Sequence, residues 1–250
     1  MKLGDELEND NAIELCDIGM HFNMPNEKVE HLKDYVIKMA KRQLFYNNFV
    51  ALDGISLDIK QGDVFGIVGL NGSGKSTLLK IISGIMAPTY GTVRTKGIIA
   101  PLIELGAGFD MELTARENIF LNGSVLGFSK EMMMECFDDI VEFSEMENFL
   151  DSPMKNYSSG MVARVGFAVA TVVRPDILIV DEILAVGDFQ FQKKCEERIS
   201  YMMSGGTTVI IVSHSIEQIE RLCNRVMWLE KGKVYMVGDV DEVCLTYKNS

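Results

Sequence analysis

Nine consecutive residues constrain this chain more than any others: Gly69-Leu70-Asn71-Gly72-Ser73-Gly74-Lys75-Ser76-Thr77. A glycine, four residues, then Gly-Lys-Ser is the pattern of a loop that cradles phosphates. An apolar run, Val64-Phe65-Gly66-Ile67-Val68, comes before it and reads as a buried strand. A helix is expected over residues 77–82 after it. Strand, glycine loop, helix is the setting the motif needs. Glycines let the backbone turn tightly and aim amide hydrogens inward, and a helix start adds partial positive charge at the same spot. The candidate nucleotide contacts are Gly69, Asn71, Gly72, Ser73, Gly74, Lys75, Ser76 and Thr77. Lys75 would reach the β- and γ-phosphates as a point charge, and the Ser76 hydroxyl would ligate Mg²⁺.

The other motifs are weighed against blander readings. Ile177-Leu178-Ile179-Val180-Asp181-Glu182 is an apolar strand ending in two carboxylates. In a parallel sheet that end faces the ligand crevice, where Asp181 would bind Mg²⁺ and Glu182 would act as general base. Alone, the pattern would equally fit an acidic strand end in solvent; downstream of a phosphate loop it does not. Tyr157-Ser158-Ser159-Gly160-Met161 precedes a helical stretch. It reads either as a plain cap or as a second anion site serving a nucleotide held by another chain. Val212-Ser213-His214-Ser215 ends the last apolar run and would bring His214 over the γ-phosphate. A satisfied core or capping histidine is the plainer alternative.

Twenty-four basic residues against 36 acidic ones leave a net charge of −12, which argues against nonspecific nucleic-acid binding. Five cysteines, Cys16, Cys136, Cys195, Cys223 and Cys244, include no Cys-x-x-Cys pair and read as buried thiols in a reducing compartment. Residues 1–11 are acidic and have no apolar core, so no signal peptide is expected, and no stretch approaches the ~18 apolar residues of a membrane span. The expectation is a cytoplasmic protein held at a membrane only through a partner.

Along the chain, strands are expected over residues 12–16, 50–59, 172–180 and 207–212, with short ones within 91–99. The runs 172–180 and 207–212 look like parallel strands buried on both faces. Helices are expected over 117–126, 130–142, 162–172, 190–203 and 216–224. A hairpin with a glycine turn is expected over 227–234. The fold class is α/β with a mostly parallel sheet, an antiparallel β subdomain and a helical subdomain at about 105–171. All of it is read as one domain over residues 1–250.

In this order the four motifs resemble the nucleotide-binding domain of ATP-binding-cassette transporters across nearly the whole chain. The resemblance implies Mg²⁺-dependent ATP hydrolysis by a head-to-tail homodimer with two ATP molecules at its interface. The glycine loop of one subunit would face Ser158, Ser159 and Gly160 of the other. Glu182 would be the catalytic base, His214 the switch histidine and Asp188 the D-loop aspartate. The family's Leu-Ser-Gly-Gly-Gln reads Tyr-Ser-Ser-Gly-Met here, and its Q-loop glutamine is absent, with Glu104 or Leu105 at that site. The aromatic that stacks on adenine is either Phe22 or Tyr46.

The stretches Glu104-Leu105-Gly106-Ala107-Gly108-Phe109 and Asp181-Glu182-Ile183-Leu184-Ala185-Val186-Gly187-Asp188 resemble, more narrowly, the ATPases of O-antigen, capsule and teichoic-acid exporters. That implies integral membrane permease subunits as partners, a peripheral position on the cytoplasmic face of a bacterial membrane, and a glycan contacted mainly by the permease. Alternatives are an ATPase for another transported substrate, or a soluble non-transport protein of the family. Residues 26–44 form an insertion in which Val29, Leu32, Val36 and Met39 recur at helical spacing among Lys28, Lys33, Lys38, Lys41 and Arg42. It reads as an ordinary surface helix or as a helix facing the permease and anionic headgroups.

Overall fold

The computed structural model describes residues 10–25, 46–103, 105–106, 108–181, 187–213 and 215–250. The basic insertion at 26–44 lies outside them. Two long strands, β1 (Asn11–Pro25) and β2 (Tyr46–Lys60), pair antiparallel, and β4 (Tyr90–Thr95) adds on the other side of β1. Both long strands run past the ends expected from the sequence. Alternation explains β2, since Ile55, Leu57 and Ile59 are buried while Ser56 and Asp58 are exposed.

The phosphate-loop strand, β3 (Val64–Val68), lies inside a second sheet. Its order is β5 (Ile99–Leu102), β6 (Ile177–Asp181), β7 (Thr208–Val212), β3, β8 (Arg225–Glu230), β9 (Lys233–Asp239). The first five run parallel and β9 returns antiparallel on β8. Ile177, Leu178, Ile179, Val209 and Ile210 have no exposed surface. That is why these strands read as unbroken apolar runs, and each such side chain contributes about 1.5–3 kcal/mol by burial. The run expected at 172–180 divides in the structure. Val172 closes a helix, while Arg174, Pro175 and Asp176 lead into the strand, which begins at Ile177. Pro175 and the restriction it places on its predecessor keep the helix from continuing.

Helix α1 (Lys75–Ile82) packs between the two sheets, with Leu78, Leu79, Ile81 and Ile82 buried. A helical lobe follows: α2 (Ala115–Val125), α3 (Lys130–Glu135), α4 (Phe137–Ser144) and α5 (Ser159–Val172). It closes on its own core of Ile119, Met133, Ile140, Met154 and Val165. The single helix expected at 130–142 is two, bent at Cys136 (φ −94°, ψ 0°). At the bend the Cys136 amide donates to Met132 O at 3.1 Å and its carbonyl accepts from Ile140 N at 3.1 Å, so Cys136 closes one helix and opens the next.

The remaining helices are α6 (Phe189–Ser204), α7 (Ile216–Leu222) and α8 (Val240–Lys248). They contribute to the layer behind the parallel sheet, where Phe191, Cys195, Ile219, Val243 and Cys244 are buried together. The last helix follows the hairpin directly. Asp239 caps it by accepting from Asp241 N, with Asp241 and Glu242 in its first turn. Among the described residues, no helix is long and apolar enough to cross a membrane.

Candidate nucleotide site

The glycine loop is held where only glycine fits. Gly69 (φ 151°) and Gly74 (φ 108°) both lie in the left-handed half of backbone space. A Cβ on Gly69 would stand 2.2 Å from the Leu229 carbonyl oxygen, and one on Gly74 would stand 2.8 Å from that of Ala51. Gly74 is also the N-cap of α1, with no side chain taking the first-turn amides and no acidic residue in that turn. Those donors therefore point at an anion site rather than at a capping group.

Lys75 is buried, and its ammonium donates to Gly69 O at 2.7 Å and Leu70 O at 3.1 Å. An ammonium out of water needs such acceptors, and here they hold it across the mouth of the loop. Ser73 Oγ is the one buried side-chain polar atom, among the described residues, with no hydrogen-bond partner.

The loop forms one wall of a cavity of about 240 Å³. Asn71, Gly72, Gly74, Lys75, Ser76 and Thr77 line it from the loop and α1, Asp181 and Val212 from the ends of β6 and β7, and Phe49 and Ala51 from β2. Asp181 and Val212 are strand partners, so parallel pairing brings the carboxylate to the same crevice as the loop. Ser76 and Asp181 supply hard oxygen donors. No cluster of three or more His, Cys, Asp or Glu suited to a metal occurs among the described residues. Oxygens of this kind suit a hard ion such as Mg²⁺, whose shell substrate phosphates and water complete.

Of the two aromatics expected for the base, Phe22 is not among the residues that line this cavity. Phe22 sits within β1 rather than after it, opposite Phe49 in the β1–β2 register, and it is Phe49 that reaches the cavity wall, with 48% of its surface exposed. The side chain of Tyr46 lies outside the described set. Phe49 and Val50 are consecutive apolar residues, both exposed, in a strand whose later positions alternate. Glu182, His214 and Glu104 also lie outside the described residues. The described residues before Glu182 and His214 are Asp181 and Ser213, which end and follow the paired strands β6 and β7.

The second motif stands apart from this cavity. Ser158 is the N-cap of α5, its Oγ accepting from Met161 N at 3.2 Å. Ser158 and Ser159 are exposed, and a Cβ on Gly160 would approach nothing closer than Ser158 Oγ at 3.9 Å. The expected cap is therefore present, and the Ser158 hydroxyl hydrogen is not the atom that makes it.

Asp188 caps α6, its Oδ1 accepting from Gln190 N at 2.9 Å and Phe191 N at 3.0 Å. Those backbone donors, the Phe191 amide first, and the charge of Arg164 hold its carboxyl below the usual range.

Residues 52–185 match the family described as ABC transporter. The O-antigen export system ATP-binding protein RfbB of Klebsiella pneumoniae is 41% identical over 221 residues, 88% of this chain and 90% of that protein. The teichoic acids export ATP-binding protein TagH of Staphylococcus haemolyticus is 37% identical over 237 residues, 95% of this chain and 88% of that protein. Among solved structures, an ATP-binding subunit of an ABC transporter superposes with a TM-score of 0.73 at 21% identity, covering 95% of this chain and 93% of that one. The dimeric post-hydrolysis cassette MJ0796 bound to ADP and Pi superposes with a TM-score of 0.70 at 23% identity, covering 91% and 98%. At those identities the structural likeness shows the fold alone.

Proposed function

The chain belongs to the ATP-binding-cassette transporter family, and from that membership we propose that it is the ATP-hydrolysing subunit powering export of a lipid-linked surface polysaccharide through a separate membrane permease. The observation that carries the ATPase reading is one cavity uniting the loop amides, Lys75, Ser76 and Asp181. The names of the relatives support the polysaccharide: the similar proteins from K. pneumoniae and S. haemolyticus serve O-antigen and teichoic-acid export.

In this reading the phosphates lie against the amides at the start of α1 and the ammonium of Lys75. The base stacks on Phe49, which takes the role expected of Phe22 or Tyr46. Ser76 and Asp181 would hold Mg²⁺, which supplies charge neutralisation at the β- and γ-phosphates. Glu182, one residue beyond Asp181, takes the proton of the attacking water, and His214 hydrogen-bonds the γ-phosphate. Glu104 stands at the position of the absent Q-loop glutamine.

Two chains are needed. Ser158, Ser159 and Gly160 face outward and line none of the chain's own cavity, so a second copy brings them to the nucleotide. Helices α2 and α3 expose Leu121, Val125, Met132 and Met134 on the helical lobe, an apolar surface suited to a permease. The basic segment 26–44, expected from its sequence to be a helix, would face the permease and the inner-leaflet headgroups. The protein is thus peripheral on the cytoplasmic face, with no nucleic-acid partner and with the glycan handled mainly by the permease.

The test is Glu182→Gln in cells and in vitro. The variant should bind ATP, accumulate as a dimer, turn over at least about a hundredfold more slowly and leave the surface glycan unexported. Wild-type turnover would remove Glu182 as the base. Normal surface glycan alongside lost turnover would remove the export assignment.

A further inference from the structure

The turn between β8 and β9 touches both halves of the cavity. Gly232 N donates to Ser73 O in the glycine loop at 2.9 Å, and Gly232 O accepts from Asp53 N in β2 at 2.9 Å. A single peptide segment is thus bonded on one side to the wall that holds phosphates and on the other to the strand that carries Phe49 and Ala51.

The fit around it is close. Gly232 has φ 77°, and a Cβ there would stand 2.6 Å from Ala51 O and 3.2 Å from Leu52 Cα. The same Ala51 oxygen lies 2.8 Å from where a Cβ on Gly74 would be. The Ala51 carbonyl is therefore wedged between two glycines, one in the loop and one in the turn. Beside it, Lys233 Nζ reaches Asp53 Oδ2 at 3.1 Å, and Tyr90 Oη donates to Asp53 Oδ1 at 2.9 Å. The ion pair is exposed and adds little by itself. The two backbone bonds and the missing Cβ define the spacing.

We propose that Gly232 is a positioning residue that sets the separation between the base-stacking strand and the phosphate loop, and so selects a nucleoside triphosphate over a bare polyphosphate. A ligand held only by phosphates engages one wall and does not sense that separation. A nucleotide engages both walls, and a shift of a few tenths of an ångström between them costs it one contact or the other. The proposal rests on the reading of Phe49 as the base platform.

The experiment measures binding of ATP and of inorganic tripolyphosphate, each with Mg²⁺, to the full chain and to Gly232→Ala. The Cβ should push β2 and the turn apart. We expect about a tenfold loss of ATP affinity, a rise in KM with kcat little changed, and tripolyphosphate affinity within about twofold of wild type. Gly232→Asn tolerates positive φ better and carries the same Cβ, so it reports the same ratio should the alanine variant fold poorly. Lys231→Gly, in the same turn, should leave the ratio unchanged.

A lower melting temperature with an unchanged ATP-to-tripolyphosphate ratio would reduce Gly232 to a structural turn residue and overturn the proposal. Equal loss for both ligands would overturn it too, because the glycine loop alone would then have been disturbed. Phe49→Ala separates the underlying reading: unchanged ATP affinity there would remove Phe49 as the platform, while the ratio in Gly232→Ala still decides the role of the turn.

Discussion

Arg164 Nη2 donates to Asp188 Oδ2 at 2.5 Å, tying α5, capped by Ser158, to the cap of α6, the helix that follows the Asp181-Glu182 motif. The other arm of the same guanidinium, Nη1, donates to Glu145 Oε2 at 2.5 Å, and its Cζ lies 4.6 Å from the centroid of the Phe191 ring. Glu145 also bonds Lys194. The Arg164 side chain is only 14% exposed, and its two carboxylates hold the guanidinium in one place. Two groups that would face a partner's nucleotide, Ser158 and Asp188, are thereby braced against each other within one chain.

Arg164→Met should lower stability by about 1–2 kcal/mol, discounted because both carboxylates are partly exposed. It should reduce ATP turnover more than ATP affinity, since the nucleotide cavity of its own chain contains none of these groups. Arg164→Lys should recover little, because an ammonium cannot fork to two carboxylates while stacking on a ring. Thermal denaturation alongside ATPase assays checks this. Full turnover in Arg164→Lys would show that charge alone suffices.

The same cluster predicts an acid limb in the stability curve. The Lys194 and Arg164 contacts hold Glu145 below its ordinary 4.5, and the Phe191 amide and Arg164 hold Asp188 below its ordinary 3.8. A depressed carboxylate stabilises the fold above its unfolded value, and that contribution is lost as pH falls through the folded one. Stability should therefore be flat from neutral pH down to the ordinary carboxylate values and fall below them. Arg164→Met should make the limb shallower. Denaturant midpoints measured at a series of acidic pH values read it directly, and an identical slope in the variant would contradict the assignment.

What was legible in the chain was what neighbouring residues decide. The glycine loop, the β3 strand before it and the cap at Ser158 follow from residues within a few positions of one another. Strands β6 and β7 showed as apolar runs because both their faces are covered. The place of Phe49 at the cavity wall was not legible, because it depends on the pairing of β1 with β2, which no local pattern reveals. The bend at Cys136 was not legible because no glycine or proline stands there to announce it. Helix α8 carries a legible start at Asp239, with Asp241 and Glu242 in its first turn.

Ser73→Ala removes the buried hydroxyl that has no partner. Such a group carries a desolvation cost with no bond to offset it. The variant should be as stable as wild type or more stable by up to about 1 kcal/mol, with ATP affinity within about twofold. The backbone carbonyl of Ser73, which bonds Gly232 N, is unaffected by the change. A marked loss of ATP affinity would show that the hydroxyl turns to the nucleotide when it binds.

Ser158 offers the cleanest separation of folding from catalysis, because its oxygen already has a structural task. Its Oγ caps α5 by accepting from Met161 N. Ser158→Ala loses that cap and should cost about 1 kcal/mol as well as turnover, so it cannot tell the two roles apart. Ser158→Asp can. Aspartate caps as well as serine, and its charge is favourable at a helix start, so stability should match or exceed wild type. The same charge would lie against the phosphates of the partner's nucleotide. Its carboxylate also has no hydrogen to donate to them, whereas the serine hydroxyl has. Turnover should fall at least about a hundredfold while ATP still binds the chain's own cavity, and the ATP-dependent dimer should not form. Sedimentation with ATP, thermal denaturation and ATPase assays on one preparation check all three. A Ser158→Asp protein that is stable, dimerises on ATP and turns over normally would mean that these residues are only a helix cap, and that the partner's nucleotide is met elsewhere.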